Sequence, residues 1–255
     1  MTKPIADTWT VFLREVTPVV RDPVSLAFSL VQPIVLLGLF GPLLAGTVPL
    51  GAFGADSTLA WFVPGVLVML TLFGTAGAGY SIMTEMQTGS HERLLVTPLV
   101  RSSLLTGRAL KELVPLTIQA AVIVLALLPF GLEVHPLHAL LGLLLLGAFG
   151  IGFGACTYAL AIASKDRDWL YWGVFTTLQF PLLILSGTLL PLDAAPTWMR
   201  TVALFNPLTY LVDAERAIFA GNLGDPAIAW GVAATVATCA VGLTVGIHAM
   251  RRSDG

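Results

Sequence analysis

Long apolar stretches separated by short polar segments dominate this chain. Between Asp22 and Asp56 no residue is charged, and similar stretches recur up to the carboxyl terminus. A helix rises 1.5 Å per residue, so about 20 apolar residues cross the roughly 30 Å hydrocarbon core of a bilayer. The pattern predicts six membrane spans, at residues 24–46, 59–84, 112–130, 136–163, 168–190 and 227–250.

Residues 1–23 have a different period. Apolar side chains recur there at helical spacing, at Ile5, Trp9, Phe12, Leu13, Val16 and Val20. The polar side chains of the segment fall on the opposite face, at Asp7, Thr8, Arg14 and Glu15. This pattern predicts a helix lying in the membrane interface and leading into the first span. A soluble amphipathic helix is the alternative, and it is disfavoured because no sizeable soluble segment follows to cover it.

The last two spans are separated by a longer segment, residues 191–226. The preceding apolar run breaks at Ser186 and Gly187, a Pro-bounded stretch follows, and an amphipathic helix is predicted at residues 208–219. The whole chain, 1–255, is then a single membrane domain with an interfacial helix at 1–23, five spans within 24–190, an outer segment at 191–226 and a final span at 227–250.

Composition defines the broad class. The chain is 56% hydrophobic and 11% charged, and its mean hydropathy is +0.86. Soluble proteins carry about 25% charged residues, so this is an integral membrane protein. The net charge of −2 gives no basic surface for a nucleic-acid partner.

The distribution of cations predicts the orientation. With the amino terminus inside, the cytoplasm receives Lys3, Arg14, Arg21, Arg93, Arg101, Arg108, Lys111, Lys165, Arg167, Arg251 and Arg252. Only Arg200 and Arg216 remain outside, so both termini are predicted to be cytoplasmic. Tryptophan supports this orientation, with Trp61, Trp198 and Trp230 at the outer interface and Trp9, Trp169 and Trp172 at the inner one.

Missing motifs exclude several mechanisms. No Asp, Glu, Lys or Arg occurs in the interior of a predicted span, which disfavours an ion-coupled carrier. The chain has no GxxxxGK[ST] motif to hold nucleotide phosphates, and neither the HExxH nor the GxSxG motif of a protease. If the protein does work, its energy comes from another chain.

The loop EMQTGSHERLLVTPLVRSSLLTGRALK, residues 85–111, is the one long polar interval on the cytoplasmic side. Ser90 can cap a short helical run at 91–96, which Pro98 ends after about two turns. A helix of two turns is unstable alone, so a partner must hold it. An ordinary loop whose cations only fix the topology is the alternative.

Two motif blocks carry a family resemblance: ERLLVTPLVRSSLLTGR, and FPLLILSGTLLPLDAAPTWMRTVALFNPLTYLVDAERAIFAG after the fifth span. Together they resemble the type-2 ATP-binding-cassette (ABC) exporter permeases, in particular the daunorubicin/doxorubicin resistance-type permeases. The resemblance covers nearly the whole chain. It implies an all-α polytopic membrane protein with six transmembrane helices, an amino-terminal interfacial helix and re-entrant outer helices before the last span.

The resemblance also implies roles for particular residues. The segment 89–98 is similar to the coupling helix that enters a separate nucleotide-binding subunit, which assigns ATPase coupling to Glu85, Gly89, Glu92, Arg93, Leu94, Leu95 and Pro98. At the end of the second span the family often carries a denser charged run, whereas this chain has Met86 and Gln87. The outer helix implies a gate formed by Asn206, Pro207, Tyr210, Asp213 and Arg216. A simple ion pair between Asp213 and Arg216, three residues apart, is the plainer interpretation.

The implied assembly has two permease halves, identical or related, and two ABC ATPase subunits in the cell inner (plasma) membrane with its lipids. ATP and Mg would be held by the ATPase, and no cofactor by this chain. Because the spans hold no fixed charge, a largely apolar substrate with a few hydrogen-bonding groups is expected. The expected path contains Thr71, Thr75, Thr176, Thr177, Gln179, Phe180 and Ser186.

The predicted function is therefore export of an amphipathic drug or lipid-like molecule, by a permease that is not itself an enzyme. Antibiotic resistance and lipid transport are the associated roles. Export of a lipid-linked glycan or cell-wall polymer is the alternative within transport. A non-transporting membrane scaffold is the alternative outside it.

The orientation can be tested by cysteine labelling in intact cells. Single cysteines placed near Asp56, Glu133 and Asp193 are expected to react with an impermeant reagent, because these positions lie outside in the six-span topology. Cysteines near His91 and Lys165 are expected not to react. External labelling at His91 would contradict the topology.

Overall fold

A computed structural model describes residues 3–47, 58–89, 101–164, 167–192 and 195–252. These residues form α-helices and one short 3₁₀ turn, with no β-strand among them. The helices are α1 (Lys3–Arg21), α2 (Pro23–Thr47), α3 (Thr58–Gln87), α4 (Arg101–Lys111), α5 (Leu113–Leu127), α6 (Pro136–Ser164), α7 (Asp168–Leu185), α8 (Thr197–Ala203), α9 (Pro207–Phe219) and α10 (Pro226–Arg252).

The predicted all-α polytopic membrane fold is confirmed. In the described part of the chain, five helical segments are long and apolar enough to cross a membrane, and they contain α2, α3, α5, α6 and α10. The remaining predicted span, the fifth at 168–190, corresponds to α7, which is not among these five segments. It has 18 residues, or about 27 Å at 1.5 Å per residue, and it includes the polar Asp168 and Gln179. The six-span count therefore stays a prediction.

The fifth predicted span, 168–190, is too long at its end. Helix α7 stops at Leu185, and Gly187 follows with φ +73°, a left-handed conformation that glycine adopts without strain. The predicted break at Ser186 and Gly187 is thus where the helix ends. Residues 188–192 continue without helix to the short 3₁₀ position at Leu192, so they belong to the segment before α8.

Helix α3 is the centre of the bundle. All ten residues from Trp61 to Leu70 are buried, because α3 is contacted by α6, α9, α2, α5 and α7. A helix buried on every side is apolar all round, which is why α3 shows no amphipathic period. The large side chains packed against it include Phe149 of α6 and Leu208 and Leu211 of α9.

Helices α6 and α10 approach each other through glycine. A Cβ built on Gly152 would lie 2.6 Å from the backbone of Cys239, and one on Gly242 would meet the Gly152 carbonyl. Small residues at such a crossing let two backbones approach, which is how helices pack in lipid, where no hydrophobic force drives them together. Cys239 and Cys156 are both free thiols at this contact.

The amino-terminal helix is present as predicted, and its polar face is covered by the protein. Its apolar side is exposed, with Ile5 and Trp9 each 56% exposed, as a membrane-interface helix requires. Its other face does not face water: Val11 and Glu15 are buried, and a Cβ on Gly107 of α4 would lie 2.8 Å from Val11. Helix α1 therefore packs on α4 with the face that carries the polar residue Glu15.

The glycine contact gives a matched pair of variants. Gly152→Ala is expected to lower the free energy of unfolding by about 1–3 kcal/mol, because the new methyl group overlaps the α10 backbone. Gly154→Ala, two residues along the same helix, meets only Thr75 Cγ2 at 3.8 Å and is expected to be tolerated. Denaturant unfolding in mixed micelles measures both. Equal stability of the two variants would contradict the close α6–α10 contact.

Candidate functional site

A cavity of about 880 Å³ opens beside α3, between α2, α5 and α7. Its walls are mostly apolar, and Gly74 and Gly77 of α3, where no side chain projects, form part of them. Its polar lining consists of Asp22, Ser25, Ser29, Gln32, Thr71, Thr75, Ser81, Lys111, Glu112, Gln119, Thr176 and Gln179. A ligand cavity typically combines apolar walls with a few polar groups in this way.

Two amides in the cavity differ in how they are bonded. Gln119 of α5 donates through Nε2 to Ser29 Oγ of α2 at 2.5 Å, which joins the two walls. Gln179 of α7 is only 4% exposed, and no described residue accepts a hydrogen bond from its Nε2. An unsatisfied buried N–H costs about 1–3 kcal/mol, so Gln179 is an available donor for a bound molecule.

Five of the predicted path residues line this cavity: Thr71, Thr75, Thr176, Gln179 and Phe180. The hydroxyls of Thr71, Thr75 and Thr176 donate to carbonyls of their own helices. Their methyl groups and Phe180 therefore supply apolar surface, and Gln179 supplies the free polar group.

Two predicted path residues lie elsewhere. Thr177 is exposed on α7 and is not part of the cavity lining. Ser186 is buried beyond the end of α7, where its hydroxyl pairs with Thr188 Oγ1 at 2.5 Å and donates to the Leu183 carbonyl. The Ser186 hydroxyl also accepts from Thr188 N at 3.3 Å, and all three of these hydrogen bonds are local to the end of α7.

Charged groups lie at the end of the cavity next to α1 and α4. Asp22 caps α2 by accepting from Ser25 Oγ at 2.6 Å and Ser25 N at 3.0 Å. The hydroxyl bond and then the backbone bond lower the pKa of Asp22, so it stays ionised. Lys111 and Glu112 line the same end.

A buried ion network joins α1, α3 and α4. Arg108 of α4 is 3% exposed; its Nη2 pairs with Glu85 of α3, and its Nε lies 3.5 Å from Glu15 Oε1 of α1. Lys111 Nζ lies 3.4 Å from the other oxygen of Glu15. Two cations thus neutralise two carboxylates, the condition under which charges are tolerated in a protein interior.

The network extends to a fourth helix. Tyr158 of α6 is fully enclosed and donates from its hydroxyl to the Arg108 carbonyl at 3.2 Å. It lies in a small apolar core with Val11, Ile82, Met83 and Tyr171. Helices α1, α3, α4 and α6 are therefore held as one unit on this side of the bundle.

Sequence reasoning missed most of this network. The sequence pattern assigned Glu85 to coupling, Arg108 and Lys111 to the cytoplasmic cations, and Glu15 to the polar face of the amino-terminal helix. No local signal could have joined Glu15 to Arg108, because the two are 93 residues apart in the chain. Gly89 ends α3 with φ +68°. The predicted coupling residues Glu92, Arg93, Leu94, Leu95 and Pro98 lie outside the described residues.

Helix α9 is fixed at its start by Asn206. The Asn206 Oδ1 accepts from Leu208 N at 3.1 Å, and its Nδ2 donates to the Leu182 carbonyl of α7 at 2.7 Å. Pro207 follows at the first helical position, where its missing N–H is not needed. The Tyr210 hydroxyl donates to the Leu204 carbonyl at 2.8 Å, which holds the turn after α8.

Arg216 fastens α9 to two other elements. Its Nη2 donates to the Gly187 carbonyl at 2.8 Å, its Nε donates to the Trp61 carbonyl at 3.2 Å, and its guanidinium lies 3.8 Å from the centre of the Trp61 ring. The ion pair with Asp213 is longer, 3.9 Å, so pairing is not the main role of Arg216. Burial lowers the pKa of Arg216 to about 10, which leaves it charged at neutral pH. Trp61 is 5% exposed, so it packs inside the bundle against Arg216 rather than facing lipid.

The ion network predicts a large effect for Glu15→Gln. This change leaves Lys111 without its carboxylate and Arg108 with only Glu85, and removing one partner of a buried pair typically costs about 3–5 kcal/mol. Arg14→Gln, the adjacent exposed residue, is the control and is expected to change stability little. Thermal unfolding of the purified protein measures both. A Glu15→Gln protein as stable as Arg14→Gln would contradict the network.

Comparison with known proteins identifies the family. The model of the ABC-2 type transporter family matches residues 6–220. The chain is 30% identical to the transport permease ycf38 of Cyanophora paradoxa over 202 residues, which are 78% of this chain and 69% of that protein. It is 28% identical to the Escherichia coli (strain K12) protein named as multidrug ABC transporter permease YbhR, over 62% of this chain and 44% of that one. The chain therefore belongs to the ABC-2 type transporter family, as a membrane permease subunit and not as the ATPase.

Proposed function

We propose that this permease exports an amphipathic drug or lipid-like molecule across the plasma membrane, with both of its termini in the cytoplasm. It acts as one half of a permease dimer, identical or related, energised by two ATPase subunits that bind ATP and Mg. The observation that carries the substrate class is the cavity beside α3, and the family supplies the ATP-driven assembly.

The cavity supports this substrate by its size and its lining. At about 880 Å³ it lies within the range of roughly 300–1,000 Å³ that holds small ligands. Away from the charged end next to α1, its polar groups are neutral hydroxyls and amides. A small hydrophilic ion would lose its hydration there without a replacement, whereas a mainly apolar molecule would not.

The charged end of the cavity suits the polar head of an amphiphile. Asp22 and Glu112 line this end together with Lys111, whose ammonium group is already paired with Glu15. In the proposed orientation this end faces the cytoplasm, so a substrate enters with its apolar part among α2, α3 and α7 and its polar part near Asp22.

The ion network supports the proposal that movement of a bound ATPase is transmitted to the helices around this cavity. Residues 90–100 join α3 to α4, and the coupling helix is proposed there, with Leu94 and Leu95 packing on the ATPase. Arg108 and Glu85 bind α4 to α3, the helix that forms the cavity wall. A force on this loop therefore reaches the cavity through ion-paired helices rather than through a flexible connector.

The exposed faces support a second permease half. The cavity is open between α2 and α7, and both helices carry large exposed apolar side chains around it, including Phe28, which is 73% exposed, and Phe180, which is 58% exposed. A second half placed on this face completes the cavity wall. Lipid covers the apolar faces of α5 and α10.

The contacts of Arg216 support a substrate path that is closed at the end of the bundle away from α1. Arg216 bonds α9 to the turn after α7 and to the start of α3, and α9 thereby closes the bundle on the side away from α1. We propose that this contact, with Asn206, Pro207, Tyr210 and Asp213, forms the gate that opens when the substrate leaves.

The cavity predicts which compounds stimulate the transporter. In lipid nanodiscs containing the permease with its copurifying ATPase, amphipathic compounds are expected to raise ATP hydrolysis and small charged metabolites are not. Gln179→Ala is expected to raise the half-maximal stimulating concentration of compounds that accept a hydrogen bond, and Phe180→Ala that of compounds with an aromatic ring. The expected rise is roughly five- to tenfold, because each lost contact is worth about 1 kcal/mol.

Thr177→Ala, next to these residues but outside the cavity lining, is the matched control and is expected to leave the panel unchanged. An unchanged compound profile in Gln179→Ala and Phe180→Ala would remove the cavity from the substrate path. Absence of any copurifying ATPase would instead support a scaffold.

A further inference from the structure

Glu215 of α9 is a carboxyl group that neither the gate nor the cavity uses. Its side chain is fully buried, with 0% exposure, and no described residue donates a hydrogen bond to Oε1 or Oε2. Because it is enclosed within the single chain, neither lipid nor a second permease half can reach it without a rearrangement. Glu15, the other buried carboxylate of the described residues, is paired with both Arg108 and Lys111.

The surroundings of Glu215 are apolar and closely packed. A Cβ built on Gly142 of α6 would lie 2.5 Å from Glu215 Oε2 and 3.0 Å from the Phe219 ring. The carboxyl group therefore rests directly on the α6 backbone, in a space that exists because residue 142 has no side chain. An isolated ionised carboxylate in such a place is very costly, and the group takes up a proton instead.

Among the described side chains, no neighbouring element supplies a compensating charge, and His248 of α10 lies near the end of that helix farthest from Asp225. On α9 itself, Arg216 is directed to Trp61 and Gly187, and Asp213 is 53% exposed. From α6, His138 lies against Gly221 beyond the end of α9, and His135 stacks on His138. Helix α10 begins after Asp225, which bonds to Ala227 N and Asn222. The described charges of α3 and α7, Glu85 and Asp168, are at the far ends of those helices.

We propose that Glu215 is a proton-binding site: the packed α6–α9 interface requires the neutral acid, and loss of its proton loosens α9 from α6. This makes the closed form of the bundle on the α9 side more stable at acidic than at alkaline pH. The inference does not depend on the substrate or on the cavity, and it concerns a helix outside the five membrane-spanning segments.

The direction of the pH dependence follows from the burial. Desolvation raises the pKa of Glu215 from 4.5 to about 8. Since the folded protein holds this proton more tightly than the unfolded chain, the stabilisation is complete below pH 4.5 and is lost as the pH rises through about 8. For Glu215 alone, the ratio of folded to unfolded protein falls by about a hundredfold between pH 6 and pH 9, or about 2.7 kcal/mol at 1.36 kcal/mol per tenfold change.

The test compares the wild type with Glu215→Gln, which keeps the size of the side chain and cannot ionise. The first measurement is reversible unfolding in mixed micelles at pH 6 and pH 9. Between pH 6 and pH 9 the ratio of folded to unfolded protein is expected to fall about a hundredfold more in the wild type than in Glu215→Gln. Glu133→Gln, at an exposed carboxylate outside α9, is the control and is expected to follow the wild type.

The second measurement is infrared spectroscopy of the full chain in lipid. At pH 6 the wild type is expected to show a protonated carboxylic-acid carbonyl band that disappears as the pH rises through about 8 and that Glu215→Gln lacks. If Glu215→Gln does not accumulate, Glu215→Met provides the same comparison. Loss of the band well below pH 7, or equal pH dependence of unfolding in wild type and variant, would overturn the proposal.

Discussion

Arg108 is the residue on which one side of the molecule depends. It lies between the carboxylates of Glu15 and Glu85, in a region from which water is nearly excluded. Charges in such a place are stable only when they are mutually neutralised, so the three helices that carry them cannot separate independently. This requirement decides how α1 is turned: Glu15 faces the protein, and the apolar face of α1 is left to the membrane.

The cavity follows from what surrounds α3. On the α6 and α9 sides, α3 is fully packed, and close glycine contacts bring α6 and α10 together. On the side of α2 and α7, Gly74 and Gly77 present no side chain, and the neighbouring helices stand apart. One helix therefore serves both as the core of the bundle and as the wall of a ligand-sized space, and its end is ion-paired to α4.

Two adjacent ionisable residues of α9 show two ways of burying a polar group. Arg216 keeps its charge because two carbonyls and the Trp61 ring replace its water. Glu215 has no such partners among the described residues and packs against Gly142 and Phe219. The first residue fixes α9 to α3 and α7 at any physiological pH, whereas the second makes the contact with α6 depend on a proton.

The class of fold could be predicted from the apolar runs alone, because a bilayer requires every backbone group to be hydrogen-bonded within the protein, so each apolar run forms a helix. The sequence also predicted α1, the break at Gly187 and helix α9, since these depend on local periodicity and on Gly and Pro. Local periodicity also explains why five predicted path residues line one cavity. Helical spacing places Thr71 and Thr75 on one face of α3, and Thr176, Gln179 and Phe180 on one face of α7. The ion network around Arg108, the burial of Trp61 under Arg216 and the isolation of Glu215 could not be predicted in this way. These depend on which helices meet, and residues as distant as Glu15 and Arg108 leave no mark of their contact in a single sequence.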